Sequence, residues 1–592
     1  MKMKVLLTVH QFLPEHASGT EVLTYSVAQE LRRRGHDVSV FTAIPTKSKM
    51  PEEDRFDHYI YEGISVHRFH HDFIPLDKLD ATTEVEYCNL RAASYFERLI
   101  ESIKPDIIHY FHLSRLGAAL IDAGIAAGIP AFFTPTDFWS VCPTCQLLLE
   151  NGEMCQGPTG HGGNCVKHVA LLTQGKRIKT LMKLTPEVLI DLVAGMTVAG
   201  RLPSYPMSKE VSAMSKRRAF IVKRLNALQK VIAPTQLMRD VLVRNGVYEE
   251  KISKSAYGID ISYYQNTTRK ESETFTIGFI GTLAPHKGCH VLIKAVARIK
   301  DRSFRLRIYG KPSDFPQYFE QLQALAKDVP QVEFMGTFPN RDIGSVLAGF
   351  DTLVVPSLWY ENTPLVVYSA MAAACPVVAS DFPGMAEIVK NGVNGLTFKP
   401  GSEDELGASL LRLMSEEGLL LRLRNQCKQP KSTIEYVDEL LVLYEEGKKV
   451  TPPMWPEGEW LSIPDLSAQS ESGGRQLIGW AIAHGSAPKA VRLRVGNRIV
   501  ADVSDFYPRA DVSQGFRNYG ITAKTQQLGF TLTLPRGGSC VDAILEVVDK
   551  HGVEYRIACT ELPQGSSKAM AKGVFIGADI TPWQSQQTME HG

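Results

Sequence analysis

Three groups of residues in this sequence have the types and spacing to do chemistry. The first is a carboxylate among aromatics. Trp359-Tyr360-Glu361 follows the apolar run DTLVVPS and precedes Asn362-Thr363-Pro364-Leu365. A carboxylate where a buried strand ends, in a loop expected to be exposed, can accept hydrogen bonds from a ligand's hydroxyls. A solvated loop acid is the plainer alternative. The second is Lys287-Gly288, which opens a helix-like segment in GFIGTLAPHKGCHVLIKA, just after Gly281 and Thr282. A lysine there opposes the helix dipole, and a bound phosphate would relieve that conflict. A surface lysine is the alternative. The third is the series Cys142-x2-Cys145-x9-Cys155-x9-Cys165, set among Gly and Pro. Four such cysteines suit a tetrahedral structural zinc, with His161 and His168 as substitute ligands. Free thiols and two disulfides are the other readings.

Parallel strands must hold these groups. Up to residue 165, VLLTV, DVSVFTA, DIIHYFH and PAFFTPT alternate with helical segments such as SGTEVLTYSVAQELRRRGH. Short buried strands alternating with helices are the mark of a doubly wound sheet. Gly19 lies between the first strand and its helix, where backbone can approach a ligand or simply turn. The alternation restarts at KVIAPT and runs through FTIGFIGTL, FRLRIYG, QVEFMG, DTLVVPS and CPVVAS. The fold class expected is α/β, with two Rossmann-like lobes facing across a cleft. The first lobe is expected at 1–230, the second at 231–432, and a closing helix at 433–450. From 460 to 562 period-two alternation between Gly and Pro turns predicts an antiparallel β-sandwich. Residues 563–592 read as a mobile tail.

The 592 residues carry a formal charge of +1, and no nucleic-acid partner is expected. The charge is uneven, however. Residues 166–230 hold 13 Lys or Arg against 3 Asp or Glu, with apolar residues between them. That segment is expected either to be a solvated helical lid or to meet an anionic membrane surface. The N-terminal MKMKVLLTVHQFL reads as a first strand rather than a signal peptide, because His10 and Gln11 interrupt it. No run reaches the roughly 18 apolar residues of a membrane span. A cytoplasmic protein, peripheral on the inner face of the membrane, is expected.

From Lys4 to about Lys448 the residues resemble glycosyltransferase family 4, a retaining family with the GT-B fold. SGTE is similar to that family's Gly-Gly donor loop with Ser18 at the first Gly. GFIGTLAPHKG is similar to its phosphate-binding element with Thr282 where Arg is usual. PSLWYENTPLVVYSAM is similar to its Glu-x7-Glu block with Ser369 at the second Glu. FFTPTDFW carries Thr136 where many relatives have a His, followed by Asp137.

The resemblance implies transfer of a sugar from a nucleoside-diphosphate sugar, without a catalytic metal. The acceptor would be a glycan or lipid-linked molecule of cell-surface polysaccharide synthesis. Lys287, Gly19, Gly281, Thr282 and the stretch Asn362, Thr363, Pro364 and Leu365 would hold the diphosphate. Glu361 would hold sugar hydroxyls, and Ser369 would stand at the ribose. Asp137 is a candidate contact to sugar or acceptor, or a turn acid. The alternative to an active enzyme is a sugar-nucleotide-binding scaffold.

Overall fold

The computed structural model describes residues 2–449, except 47–49, 52–53, 72–81, 150–151, 266–273 and 301. Beyond these it describes only strands and short flanks between residues 460 and 577. The chain divides into two compact units, residues 1–450 and 451–592.

The first unit holds two sheets. The first has strands β1 (Lys4–Thr8), β2 (Asp37–Pro45), β3 (Phe56–Tyr61), β4 (Ile64–His71), β5 (Ile107–Tyr110), β6 (Ala131–Phe133), β7 (Lys230–Ala233) and β8 (Ile252–Lys254). Their order is β3-β4-β2-β1-β5-β6-β7-β8, with β3 antiparallel on the edge. The second has β9 (Phe275–Ile280), β10 (Phe304–Tyr309), β11 (Val332–Gly336), β12 (Thr352–Val355), β13 (Val377–Ser380) and β14 (Gly395–Phe398), all parallel. Their order is β11-β10-β9-β12-β13-β14. Both orders reverse direction beside the first strand, between β1 and β5 and between β9 and β12. Ligands of such sheets bind outside the carboxyl ends at these reversals.

The lobe boundary differs from the sequence expectation. β7 and β8 extend the first sheet, with Phe132 paired to Lys230 and Val231 to Ile252. Residues 230–254 therefore belong to the first lobe, although they were expected to start the second. A strand's apolar pattern reports burial, not which sheet it joins.

The closing helix also returns to the first lobe. Tyr436, Val437, Leu440 and Tyr444 of Thr433–Lys449 share one apolar core with Val5, Leu7, Val40 and Ile107. His109 of β5 is buried, with Nδ1 2.5 Å from the Tyr444 hydroxyl and Nε2 2.8 Å from Thr134 Oγ1. Burial holds its pKa down at about 3, so this ring is a neutral brace.

The basic segment forms helices Gly163–Thr173, Lys176–Leu184, Glu187–Val198 and Ser208–Ala227. The last of these is structural. Its Phe220, Ile221 and Leu225 are buried, Arg224 bonds Asp122 at 2.6 Å, and Arg217 reaches the Trp139 carbonyl at 2.5 Å.

Among its described residues the second unit contains three antiparallel sheets. One joins Trp460–Ile463 with Ile482–Ala483 and Val574–Gly577. Another joins Ser467–Gln469, Gln476–Trp480, Gln527–Thr533 and Tyr507–Pro508. The third joins Ala490–Val495, Arg498–Val503, Ala543–Val548 and Glu554–Ala558. Alternation at period two buries Val491 and Leu493 on one face, opposite Val547 and Leu545. Val574–Gly577 lies within the expected mobile tail and is instead a strand, because Leu461–Ile463 offers it a partner edge. The rest of that tail lies outside the described residues.

Candidate functional site

At the reversal of the second sheet, two loops meet. The β9 loop ends in the turn Pro285–Lys287 and feeds the helix Cys289–Ala297. The β12 loop, Pro356–Pro364, feeds the helix Leu365–Ala372. Gly288 joins them, with a φ of +72°. A Cβ there would stand 1.8 Å from the Pro356 carbonyl oxygen. Gly288→Ala should therefore cost about 2–4 kcal/mol, from left-handed strain and backbone overlap together, as urea unfolding would measure.

That approach sets Lys287 against Glu361. Glu361 Oε1 accepts from Lys287 Nζ at 2.5 Å, Ser357 Oγ at 2.8 Å and Trp359 Nε1 at 2.8 Å. Burial pushes the carboxyl up. The Lys287 ammonium and the three hydrogen bonds outweigh it and hold the group below the ordinary glutamate range. The expectation of an exposed Glu361 is corrected: it is 5 % exposed, because the loop folds back on three donors. All three bonds fall on Oε1. Among the described residues none is given to Oε2, which leaves that oxygen as an acceptor for a ligand.

The other expected donor-site residues separate into two kinds. Gly19 and Gly281 have no positive φ. A Cβ would meet only Leu365 Cδ1 at 3.9 Å in the first case and the Phe279 ring at 3.6 Å in the second. Neither glycine is required by the protein's own packing, so each leaves open space at a strand end. The 3.9 Å contact also puts the start of the helix Gly19–Arg33 opposite the start of Leu365–Ala372. Neither helix has a side-chain cap bond, at Ser18 or at Pro364. Two helix N-termini, the first with Glu21 in its opening turn, thus meet across the cleft, and helix N-termini favour an anion. Thr282 is half-buried in the β9 loop, and its carbonyl accepts from Ala284 N at 2.8 Å.

Asn362, expected to hold donor, is turned into the protein. Its Nδ2 donates to the Pro135 carbonyl and the Tyr257 hydroxyl, each at 3.2 Å, and its Oδ1 accepts from Thr235 Oγ1 at 2.9 Å. It braces one lobe against the other. Thr363 Oγ1 donates to the Asn362 carbonyl at 2.7 Å. Ser369 is buried and hydrogen-bonds Tyr264, whose hydroxyl burial pushes up to about 12. The smaller serine leaves room for the tyrosine of the short helix Ile261–Tyr264.

Asp137 follows β6, one strand from the other reversal, and meets His112 after β5. Its Oδ1 accepts from Trp139 N at 2.8 Å, and its Oδ2 lies 3.0 Å from His112 Nε2. The Ser114 backbone N–H donates to His112 Nδ1 at 3.1 Å. The proton of a neutral ring is therefore on Nε2, which donates to Asp137. His112 has no free nitrogen and acts as the holder of Asp137. Thr136 Oγ1 accepts from Thr20 Oγ1 at 2.9 Å, tying this loop to the start of the first helix.

Sequence reasoning missed three residues here: His10, Glu21 and His112. His10 and His112 each stand two residues past the ends of β1 and β5, which pair in register at Thr8 and Tyr110. Their rings accordingly sit 4.2 Å apart, centroid to centroid. Burial, then the neighbouring His112 and Arg115, keeps the His10 ring neutral, well below the ordinary histidine range. Glu21 is fully buried 3.6 Å from His10 Nε2, and burial raises its carboxyl. Matching positions after adjacent strands were the available signal.

Besides burial, Cys142 lies near enough to Cys145, Cys155 and Cys165 to raise each of their thiols. Cys142, Cys145, Cys155 and Cys165 are all free. Among the described residues no group of three or more His, Cys, Asp or Glu is placed to hold a metal ion. Burial raises the thiols of Cys145, Cys155 and Cys165. Cys155 Sγ accepts instead from Gly157 N at 3.4 Å. No step is routed through zinc.

Known proteins share this architecture. Residues 17–146 match the model described as Glycosyltransferase Family 4, and residues 274–416 match Glycosyl transferases group 1. A D-inositol 3-phosphate glycosyltransferase of Corynebacterium glutamicum is 27 % identical over 34 % of this chain and 52 % of its own. An uncharacterized 42.6 kDa protein in the cps region of Klebsiella pneumoniae is 22 % identical over 65 % of this chain and 87 % of its own. The chain spans only 38 to 52 % of the length of the first three curated relatives it matches. A sucrose-phosphate synthase structure from Thermosynechococcus elongatus is 15 % identical, covers 75 % of this chain and 99 % of its own, and has a TM-score of 0.51, which establishes the shared fold. Residues 17–146 thus belong to glycosyltransferase family 4 and residues 274–416 to the glycosyl transferases of group 1, on a GT-B fold.

Proposed function

We propose that this protein is a retaining glycosyltransferase. It moves a sugar from a nucleoside-diphosphate sugar to a glycan or lipid-linked acceptor in cell-surface polysaccharide synthesis, at the inner face of the membrane. The observation that carries the reading is the meeting of two uncapped helix N-termini, at Gly19 and Leu365, beside the strand ends that bear Lys287 and Glu361. A diphosphate placed between them receives backbone N–H groups from both lobes. The negative charge that grows on it as the sugar leaves is stabilised by dipoles already in place, usually the largest catalytic term.

Glu361 is held ionised and is therefore acceptor-only, suited to sugar hydroxyls through Oε2. Lys287 supplies the cation when a phosphate competes for it. Asp137, held by His112 and Trp139 N, accepts from a hydroxyl of sugar or acceptor. Ser369 with Tyr264 takes the ribose side. The Klebsiella relative's cps region supports the polysaccharide setting. The same proposal includes contact between residues 166–230 and an anionic membrane.

Hydrolysis of a panel of nucleotide sugars by the full-length protein tests this. Turnover of at least one donor is expected, with Glu361→Gln reducing it by about 10²–10³-fold. Tight donor binding with no turnover, even with added acceptor glycans, would favour the scaffold reading instead.

A further inference from the structure

The helix pair Lys176–Leu184 and Glu187–Val198 presents an apolar face that none of the described residues covers. Among the described residues 21 large hydrophobic side chains are exposed, and 10 of them lie between residues 172 and 207. The concentration matters because single exposed leucines are ordinary, whereas a contiguous patch marks a contact surface. Lys176–Leu184 buries no residue at all. Its Ile178, Leu181 and Leu184 recur every third residue and share one face, and Leu184 is 78 % exposed. Glu187–Val198 buries only Ile190 and Ala194. It leaves Val188 80 % exposed, with Leu189, Leu192 and Val193 beside it. The turn Thr185–Pro186 joins the two faces.

Charge decides what covers this face. Lys176, Arg177, Lys179 and Lys183 rim the first helix, which contains no acid. The second helix has no base and two acids. Glu187 is exposed in its first turn, and Asp191 is spent on the protein, its Oδ1 accepting from His161 N at 3.0 Å and Gly163 N at 2.9 Å. The four cations of the first helix therefore outnumber the one acid left facing solvent. A second copy docked by twofold symmetry would bring these basic rims together, which like charges oppose. The helices have 9 and 12 residues, far short of the roughly 20 that span a bilayer. An apolar face of this length with a cationic rim fits the headgroup boundary of an anionic bilayer.

We propose that this helix pair is the membrane-docking element, with Ile178, Leu181, Leu184, Val188, Leu189 and Leu192 entering the interface of an anionic lipid surface. The inference rests on the peripheral contact proposed above and names the surface that makes it.

The full-length protein, without donor, is sedimented with vesicles of phosphatidylcholine, alone or mixed with phosphatidylglycerol, at low salt. Binding to the mixed vesicles is expected. It should fall about tenfold or more in Leu184→Glu/Val188→Glu, and Lys176→Glu/Arg177→Glu should lose the preference for phosphatidylglycerol. These side chains are exposed, so circular dichroism spectra and donor hydrolysis should stay as in the wild type. Wild-type-like binding by the apolar double variant would overturn the inference while leaving a contact elsewhere on the segment. No binding by the wild type would overturn both, and donor hydrolysis would still report on the glycosyltransferase reading. A dimer in sedimentation velocity that Leu184→Glu/Val188→Glu disrupts, without vesicle binding, would assign the face to a second copy and equally overturn the inference.

Discussion

Lys287→Ala is expected to destabilise the protein by about 3–5 kcal/mol and to remove donor turnover in the same step. Glu361 is buried and its Oε1 depends on the Lys287 ammonium, so removing the cation leaves a buried carboxylate facing only Ser357 and Trp359. Lys287 itself is 24 % exposed, so water can enter the vacated space and the cost should fall toward the lower end of that range.

The sign with pH follows from the direction of the shift. Glu361 titrates lower in the folded protein than in the unfolded chain. Its contribution is therefore complete above the ordinary glutamate pKa and is lost as pH falls through the lowered folded value. Without Lys287 that protection shrinks, and acid unfolding should begin at higher pH. Urea unfolding at neutral pH and an acid titration followed by circular dichroism would measure both. Lys287→Met/Glu361→Gln should recover most of the stability, since no charge is left unpaired, and none of the turnover. Full turnover in Lys287→Ala would show that the lysine is a structural partner of Glu361 and nothing more.

Asp137→Ala is expected to lower kcat by about 10²–10³-fold while leaving stability nearly unchanged. Its side chain is 25 % exposed, and its two bonds, to His112 Nε2 and Trp139 N, hold it without burying it. His112→Ala should lower kcat by about tenfold, because Asp137 keeps the Trp139 bond and loses one constraint. In the Asp137→Ala background the same His112 change should add little. That non-additivity separates a positioning residue from one that acts on substrate itself. If the two effects multiply, His112 touches the substrate independently and the role given to it here is wrong.

Much of this architecture was legible from residue order. Strand ends such as DTLVVPS and FTIGFIG placed Glu361 and Gly281 at sheet edges, and Lys287-Gly288 at a helix start is where it was expected. Glu361's three-donor environment was not legible. Ser357 and Trp359 are sequence neighbours of the acid, but Lys287 lies 74 positions away, brought in by the close approach that Gly288 allows. The same limit explains Asn362, whose partners Pro135, Tyr257 and Thr235 all come from the first lobe. The pairing of His10 with His112 needed the register of β1 and β5. Cysteine spacing put Cys142, Cys145, Cys155 and Cys165 in one region of the chain, but it could not show that all four stand free, with Cys155 Sγ accepting from Gly157 N.

By itself the sequence determined that two parallel α/β lobes form, that an antiparallel unit follows, and that a lysine and a carboxylate follow strand ends. Those are local properties, written in periodicity, turn residues and helix starts. The tertiary structure decided the rest. It assigned β7, β8 and the helix Thr433–Lys449 to the first lobe, brought the Gly19 and Leu365 helix starts together, and buried Glu361 on Lys287. It also left the apolar face of Lys176–Val198 uncovered while turning Arg217 and Arg224 of the neighbouring helix inward. A run of apolar and basic residues reads alike whether it faces the core or the solvent, and only packing against distant segments tells the two apart.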